Sequence, residues 1–195
     1  MIKPAIKLEV QTLGCFSIAM DGKPVATVWP NETLKVCFCS LLSPLDLYFS
    51  WDRICRSMLE VSDTQQNRRQ LEETIIRPLK SFLITEIGFN PLLTGNDYLS
   101  IDQRRIKVDA LEFQKSAVEG LMLLSQGNHA ASLKKLGIAK SLYLGSYLPG
   151  MKGKIITNTR NELEALYQKT VFESDRQVAM NSARLPEYIP QGKAL

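Results

Sequence analysis

Apolar residues recur at helical spacing in three consecutive segments of this 195-residue chain, and this pattern restricts its fold more than any other feature. In the first two segments the apolar positions are Leu34, Cys37, Phe38, Leu41 and Leu42, then Trp51, Ile54, Cys55, Met58 and Leu59. The third segment covers residues 65–84, with an inner stripe of Leu71, Ile75, Leu79 and Phe82. Residues three and four positions apart share one face of a helix, so the sequence predicts three amphipathic helices. Ser50 is the predicted N-cap of the second.

Short strands are predicted before these helices. Residues 6–11 alternate apolar and polar side chains, which is typical of a half-buried strand. Residues 15–19 and 24–29 flank the hairpin signal Asp21-Gly22. The chain is therefore expected to open with a small antiparallel sheet.

A second hairpin is predicted after the helices. Residues 92–94 and 97–101 lie on either side of Gly95-Asn96, a typical turn dipeptide. A further turn at 102–105 leads to a short apolar run at 106–108.

The remainder of the chain is predicted to be helical. Asp109 resembles an N-cap, and Glu112 three residues later completes a capping-box-like pair. Pro186 and Pro190 favour an irregular tail. The predicted helices cover residues 110–125, 129–143 and 155–181.

Membrane and secreted classes are excluded by the sequence. The longest apolar runs reach about half of the roughly 18 residues that a membrane span needs. The N-terminus alternates charged and apolar residues, unlike a signal or transit peptide. We therefore expect a cytoplasmic protein with reduced thiols. The cysteines are Cys15, Cys37, Cys39 and Cys55.

Catalytic, cofactor and metal sites are not predicted either. The cysteines lack the paired spacing of a zinc site, and His129 is the only histidine. The sequence has neither a nucleotide-binding glycine motif nor a nucleophile–histidine–acid pattern. Glu72 and Glu73 are adjacent, but neighbours on a helix diverge by about 100° and do not share an acid–base site. We expect a protein that is not an enzyme and that uses no cofactor or metal.

The net charge of the chain does not identify the class of its partner. The chain has 24 basic and 20 acidic residues, a formal charge of +4, which permits a nucleic-acid partner without requiring one. On the third predicted helix, the face opposite the core stripe has more basic than acidic side chains. The residues predicted on this outer face are Arg69, Glu73, Ile76, Arg77 and Lys80.

Several short sequence segments, taken in their order and spacing, resemble those of a known family. These segments are Thr12–Phe16, Leu92–Leu99, Val108-Asp109 with Phe113, Ala139–Gly150 and Arg160–Tyr167. They make the chain similar to the SARP-type bacterial transcriptional regulators over roughly residues 6–180. In that family an OmpR-like winged helix-turn-helix precedes a bacterial transcriptional activator domain of tetratricopeptide-like helices.

The resemblance implies an α+β fold with an order of domains. Residues 1–108 would form the winged helix-turn-helix, made of a small antiparallel sheet, three helices and a wing hairpin. Residues 109–182 would form the helical domain, and residues 183–195 an irregular tail.

A partial tetratricopeptide signature supports the helical domain. Its positions are Gly127, His129, Ser132, Leu136 and Ala139, of which His129 and Ser132 depart from the usual pattern. About one and a half helix pairs fit, whereas such repeats usually need three or more to bury their faces. Either the chain is a fragment of a longer regulator or another subunit covers the open end, and we expect a homodimer.

The resemblance also implies double-stranded DNA as a partner. The third helix would enter the major groove, with its first residues on base edges, and the wing would lie over an adjacent backbone or minor groove. The helical domain would mediate self-association or contact RNA polymerase. The implied DNA-contacting residues are Gln65, Gln66, Asn67, Arg68, Arg69, Glu73, Ile76, Arg77, Lys80, Thr94, Asn96, Tyr98, Arg104 and Arg105.

An alternative function remains open. Arg69, Glu73 and Arg77 at i, i+4 spacing are also typical of a solvated, salt-bridged helix face. The negative charges of Glu72 and Glu73 would repel a phosphate backbone. Pro78 removes one backbone hydrogen bond and is expected to kink the third helix. A degenerate winged helix that binds protein, as an adaptor, would carry the same features.

Overall fold

A computed structural model describes residues 8–183, with side chains through residue 180. Residues 6–7 of the first predicted strand and all of the predicted tail after residue 183 lie outside the described residues. The described chain combines two small sheets with helices, which confirms the predicted α+β class.

The first sheet contains four strands, which span Leu8–Gln11 (β1), Ser17–Met20 (β2), Lys23–Pro24 (β3) and Ile106–Val108 (β7). Across the sheet they lie in the order β3-β2-β1-β7. The three opening strands pair antiparallel, as predicted, and β7, which was not assigned to this sheet, adds to it parallel to β1. The alternating apolar residues of these two strands are in register, Leu8 beside Ile106 and Val10 beside Val108, and all four are buried.

Strand β3 is much shorter than the predicted strand over residues 24–29. Asp21 and Gly22 form the predicted hairpin turn, both with positive φ. After Pro24 the chain leaves the sheet, and the Trp29 ring packs among aromatic side chains of other elements. These rings are Phe16, Phe38 and Phe82, at centroid distances of 6.2, 5.5 and 4.8 Å. The Val25 amide still donates to the Ile18 carbonyl at 2.8 Å, and beyond it the segment follows the partly buried Trp29 ring away from the sheet edge.

Each of the first two predicted helices begins at a side-chain cap. Helix α1 spans Glu32–Leu41, and the Asn31 side chain accepts a hydrogen bond from the Leu34 amide. Helix α2 spans Trp51–Met58, and the Ser50 hydroxyl accepts from the Arg53 amide, as predicted. Each cap satisfies an amide that has no partner within the helix.

The third predicted helix is an unbroken helical segment over residues 65–87, which we call the 65–87 helix. It consists of α3 (Gln65–Leu71), a π-helical turn (Glu72–Ile76) and α4 (Arg77–Ile87). Next to it lies a second, antiparallel sheet of strands Phe49–Ser50 (β4), Leu92–Thr94 (β5) and Tyr98–Ile101 (β6), in the order β4-β6-β5. The β5–β6 hairpin was predicted; the addition of β4 to it was not.

Three helices complete the described chain and match the predicted ranges closely. They span Asp109–Ser125 (α5), His129–Leu142 (α6) and Lys154–Ala183 (α7). Helices α5 and α6 approach closely at Gly120, where a Cβ atom would lie 2.6 Å from Leu136 Cδ2. The buried Ser132 hydroxyl donates to the Gly120 carbonyl at 2.8 Å. The absence of a side chain at Gly120 thus permits this contact.

Asp109 does not cap α5, contrary to prediction. Helix α5 begins at Asp109 itself, and its carboxylate accepts hydrogen bonds from the amides of Thr12, Leu13 and Ala110. The Thr12 hydroxyl donates to the same carboxylate at 2.6 Å. Partners 96 and 97 residues away in sequence therefore replace the local cap and join α5 to the segment after β1.

Further buried contacts cross from the first part of the chain to the last helix and to the segment between α6 and α7. The Ser43 and Thr159 hydroxyls lie 2.7 Å apart, and the Tyr147 hydroxyl donates to the Cys39 carbonyl at 3.2 Å. Leu13 forms a β-bridge with Tyr147. One buried apolar cluster extends across these elements.

Within the described residues, no helix combines the length and apolar character that crossing a membrane requires.

Replacement of Asp109 by alanine is expected to lower the free energy of unfolding by about 2–4 kcal/mol, since buried amides lose a charged acceptor. Urea denaturation measures the change. Glu112→Ala, one turn further along α5, is the control and is expected to cost less than about 1 kcal/mol. Equal effects of the two substitutions would contradict the role given to Asp109.

Candidate nucleic-acid interface

The start of the 65–87 helix is fixed by local hydrogen bonds. The Thr64 hydroxyl accepts from the Asn67 amide at 3.1 Å, and the Asn67 side chain donates to the Ser62 carbonyl at 2.8 Å. Asn67 therefore holds the turn before the helix. Gln65 and Gln66, in contrast, are exposed, and their side chains have no hydrogen-bond partner among the described residues.

A π-helical turn precedes Pro78, at the position where the sequence predicted an irregularity. The Arg77 amide donates to the Glu72 carbonyl, five residues earlier. Pro78 has no amide to donate, and in a regular α-helix its ring collides with the carbonyl four residues before it. The wider turn accommodates the proline, and the helix continues to Ile87 before Gly88 ends it in the left-handed conformation.

The π-turn moves Ile76 into the core. One extra residue in a helical turn rotates the following residues by about 100° relative to the preceding ones. Ile75 and Ile76 are consequently both buried, at 4% and 0% exposure. The prediction that Ile76 lies on the outer face, where it would contact DNA, is wrong. Phe82 is half-buried against Trp29, and Leu83 takes a fully buried position.

The guanidinium of Arg68 makes all of its described hydrogen bonds within the protein. Two of its nitrogens donate to the Asp63 carboxylate, each at 2.6 Å, and a third donates to the Asn96 carbonyl at 3.1 Å. The guanidinium also lies 6.0 Å from the centroid of the Trp51 ring. The hydrogen bonds from Arg68 lower the pKa of Asp63, so this ion pair is present at neutral pH and is lost only when acid protonates Asp63.

The Trp51 indole and the Lys80 ammonium also contact the β5–β6 hairpin. The indole nitrogen of Trp51 donates to the Gly95 carbonyl at 3.3 Å. Lys80 donates to the Thr94 hydroxyl at 2.8 Å and lies 3.4 Å from Glu72. Helices α2, α3 and α4 thus each supply one side chain that holds this hairpin.

Arg104 and Arg105 lie in the turn between β6 and β7. Arg104 forms a two-pronged ion pair with Asp102, which lowers the pKa of that carboxyl group. The Arg105 guanidinium is 3.9 Å from the centroid of the Phe89 ring. The described side-chain contacts of these two arginines are with this turn and Phe89, and none joins them to the 65–87 helix.

The outer face of the 65–87 helix keeps a small set of side chains without partners. They are exposed, and among residues 8–183 none makes a side-chain hydrogen bond or an ion pair; these residues are Gln65, Gln66, Arg69, Glu73 and Arg77. Arg69, Glu73 and Arg77 do not form the salt-bridged row that their i, i+4 spacing allowed. We call these five residues the open face; it carries two cations and one carboxylate.

Aromatic packing at the hairpin was not predicted. The Tyr98 ring covers Gly95, where a Cβ atom would lie 2.5 Å from the ring. The Tyr48 ring meets Tyr98 edge-on, with centroids 5.0 Å apart. Tyr48, Asp63 and Trp51 therefore belong to this site, although sequence periodicity gave no signal for Tyr48 or Asp63. Trp51 is buried, as its place in the α2 stripe indicated.

The described residues contain no group of three or more His, Cys, Asp or Glu side chains placed to hold a metal ion. All four cysteines are free, with Cys15 exposed and the others buried. Burial raises the pKa of Cys37 to about 12, so this thiol is not reactive at neutral pH.

Comparison with known proteins supports the fold alone. No protein-family model matches the sequence, and no curated protein matches it. Among solved structures, the chain is similar to Mycobacterium tuberculosis EmbR, determined in complex with a low-affinity phosphopeptide. The two share 15% sequence identity and a TM-score of 0.54. The match covers 88% of this chain and 43% of the EmbR chain, so the present chain spans less than half of that protein.

Ile76→Ala is expected to lower the free energy of unfolding by about 3 kcal/mol, because it leaves a cavity in the core. Ile84→Ala is the matched control, since Ile84 is 50% exposed on the same helix; it is expected to cost less than about 1 kcal/mol. Chemical denaturation measures both. A small loss at Ile76 would mean that the π-turn is absent and that the residue faces outward.

Proposed function

We propose that the chain is a DNA-binding transcriptional regulator. In this proposal residues 1–108 are an OmpR-like winged helix-turn-helix, the β5–β6 hairpin is its wing, and residues 109–182 are a tetratricopeptide-like domain. The element order and the similarity to EmbR, a transcriptional regulator, support a regulatory role. The observation that carries DNA binding is the open face, which lies on a helix tied directly to the hairpin.

The open face has suitable chemistry for a duplex. Gln65 and Gln66 at the helix start can donate to and accept from base edges, and Glu73 can accept from a cytosine amino group. Arg69 and Arg77 can neutralise phosphates. The open face carries two cations, so affinity is expected to fall with salt along a logarithmic slope of roughly −2.

The helical domain is proposed to mediate self-association or to contact RNA polymerase. Large apolar side chains remain exposed on all three of its helices. They include Val118, Met122, Ile138, Phe172 and Met180. We expect sedimentation equilibrium at micromolar concentration to detect a homodimer; a monomer throughout that range would contradict self-association.

A protein-binding adaptor is the second candidate, and a surface beside the hairpin favours it. Four large side chains are exposed there, at 56, 63, 40 and 38%: Leu47, Tyr48, Leu93 and Tyr98. The β5–β6 pairing places Leu93 beside Ser100, two residues from Tyr98 along β6, so that Leu93 and Tyr98 project from the same face of the sheet. Because Glu73 also interrupts the positive charge, a weakly basic, partly apolar surface of this kind would suit a protein partner.

Fluorescence anisotropy with a random 30-base-pair duplex tests DNA binding. Between about 50 and 200 mM salt we expect the affinity of the unsubstituted chain to fall roughly tenfold. In Arg69→Gln/Arg77→Gln, binding is expected to weaken and the slope to decrease by about 2, since two phosphate contacts are lost.

Lys115→Gln/Lys134→Gln is the matched control. Both lysines are exposed on the helical domain without a described ion pair, and the substitutions remove the same net charge. This variant should bind as the unsubstituted chain does. Equal losses in the two double variants would indicate nonspecific charge attraction, and no binding at 50 mM salt would favour the adaptor function.

A further inference from the structure

We propose that Asp63 and Arg68 are positioning residues that hold the wing in its DNA-binding orientation, and that Arg68 contributes no phosphate contact. The inference rests on the proposed function and names which residues of that site act indirectly. It reverses the role that sequence position suggests for Arg68, which stands beside Arg69 at the helix start.

The wing turn is held through its backbone. Arg68 donates to the Asn96 carbonyl at 3.1 Å, and Trp51 donates to the preceding carbonyl, that of Gly95, at 3.3 Å. The turn closes on itself through the Gly95 amide, which donates to the Tyr98 carbonyl at 2.8 Å. Successive carbonyls of one turn are therefore fixed by side chains from two different helices.

The Arg68 guanidinium is held by Asp63 in the orientation that these contacts need. Two parallel hydrogen bonds of 2.6 Å join the two groups, and the Asp63 side chain is only 17% exposed. A two-pronged pair of this kind fixes the plane of the guanidinium. With Asp63 already neutralising its charge, Arg68 has little net attraction for a phosphate, whereas the neighbouring Arg69 has no such partner.

Wing orientation matters for affinity because an unheld loop must be ordered when it binds. The Lys80–Thr94 hydrogen bond secures only the strand before the turn. Loss of the Asp63–Arg68 pair would therefore loosen the turn at Asn96, while the Trp51–Gly95 and Lys80–Thr94 hydrogen bonds remain.

Two isosteric substitutions with the same charge change test the proposal by the sign of their effects. Asp63→Asn and Glu86→Gln each remove one negative charge from the region of the 65–87 helix. Glu86 is exposed on this helix, lies outside the open face and has no described side-chain partner. If charge alone governs binding, both variants bind the random duplex more tightly. If Asp63 positions Arg68, Glu86→Gln binds at least as tightly as the unsubstituted chain, whereas Asp63→Asn binds roughly tenfold more weakly with an unchanged salt slope.

Arg68→Lys and Arg69→Lys provide a second comparison, because lysine keeps the charge but not the planar two-pronged geometry. We expect Arg68→Lys to bind roughly tenfold more weakly and Arg69→Lys to stay within about threefold of the unsubstituted chain. Urea denaturation must show every variant fully folded at the assay temperature, so that a loss of affinity does not reflect unfolding.

Hydrogen exchange of the Gly95 amide in the free protein reports the wing turn without DNA. Exchange is expected to accelerate in Asp63→Asn and Arg68→Lys and to stay unchanged in Glu86→Gln and Arg69→Lys. Tighter DNA binding by Asp63→Asn, or unchanged Gly95 exchange in it, would overturn the inference alone. Absence of DNA binding by the unsubstituted chain would overturn the proposed function together with it.

Discussion

The carboxylate of Asp109 joins the first sheet to the helices that follow it, and the arrangement of the two depends on this group. Its two oxygens accept hydrogen bonds from Thr12, Leu13 and Ala110 at the point where β7 ends and α5 begins. Since β7 lies beside β1, the same corner fixes the sheet and the direction of α5. Leu13 then bridges to Tyr147, whose hydroxyl reaches α1. The helical part is thus attached by directional bonds as well as by apolar packing.

Basic side chains in the candidate interface either bind groups of the protein itself or remain available to an external anion, and a side chain that does the first is less able to do the second. Arg68 and Lys80 bind carboxylate, hydroxyl and carbonyl groups of the protein, which organises the hairpin but reduces their attraction for an external anion. Arg69 and Arg77 remain open beside Glu73. A count of basic residues along this helix therefore overstates the charge it offers to an anionic partner. The result is a preorganised surface with modest electrostatic attraction. In the proposed DNA complex, base contacts and the position of the hairpin would contribute a large share of the affinity.

Local signals in the sequence predicted most elements. The spacing of apolar residues located the first three helices, and Ser50 was correctly predicted to cap α2. The cap predicted at Asp109 failed because its local pattern is the same whether the carboxylate binds its own helix or a distant strand. The parallel position of β7 and the two-residue strand β4 were not predicted either, since neither leaves a periodic pattern. For Ile76, a single π-turn shifted the helical register and reversed the predicted face.

The sequence by itself determined where most of the helices begin and end, because caps, turns and apolar spacing act between residues only a few positions apart. The tertiary structure alone decided which polar groups remain available for a partner. That outcome depends on pairs distant in the chain, such as Arg68 with Asn96, 28 residues away, and Thr12 with Asp109, 97 residues away. Such pairs form only after the chain has folded, because the same donor could equally face water until packing brings its acceptor within hydrogen-bond distance.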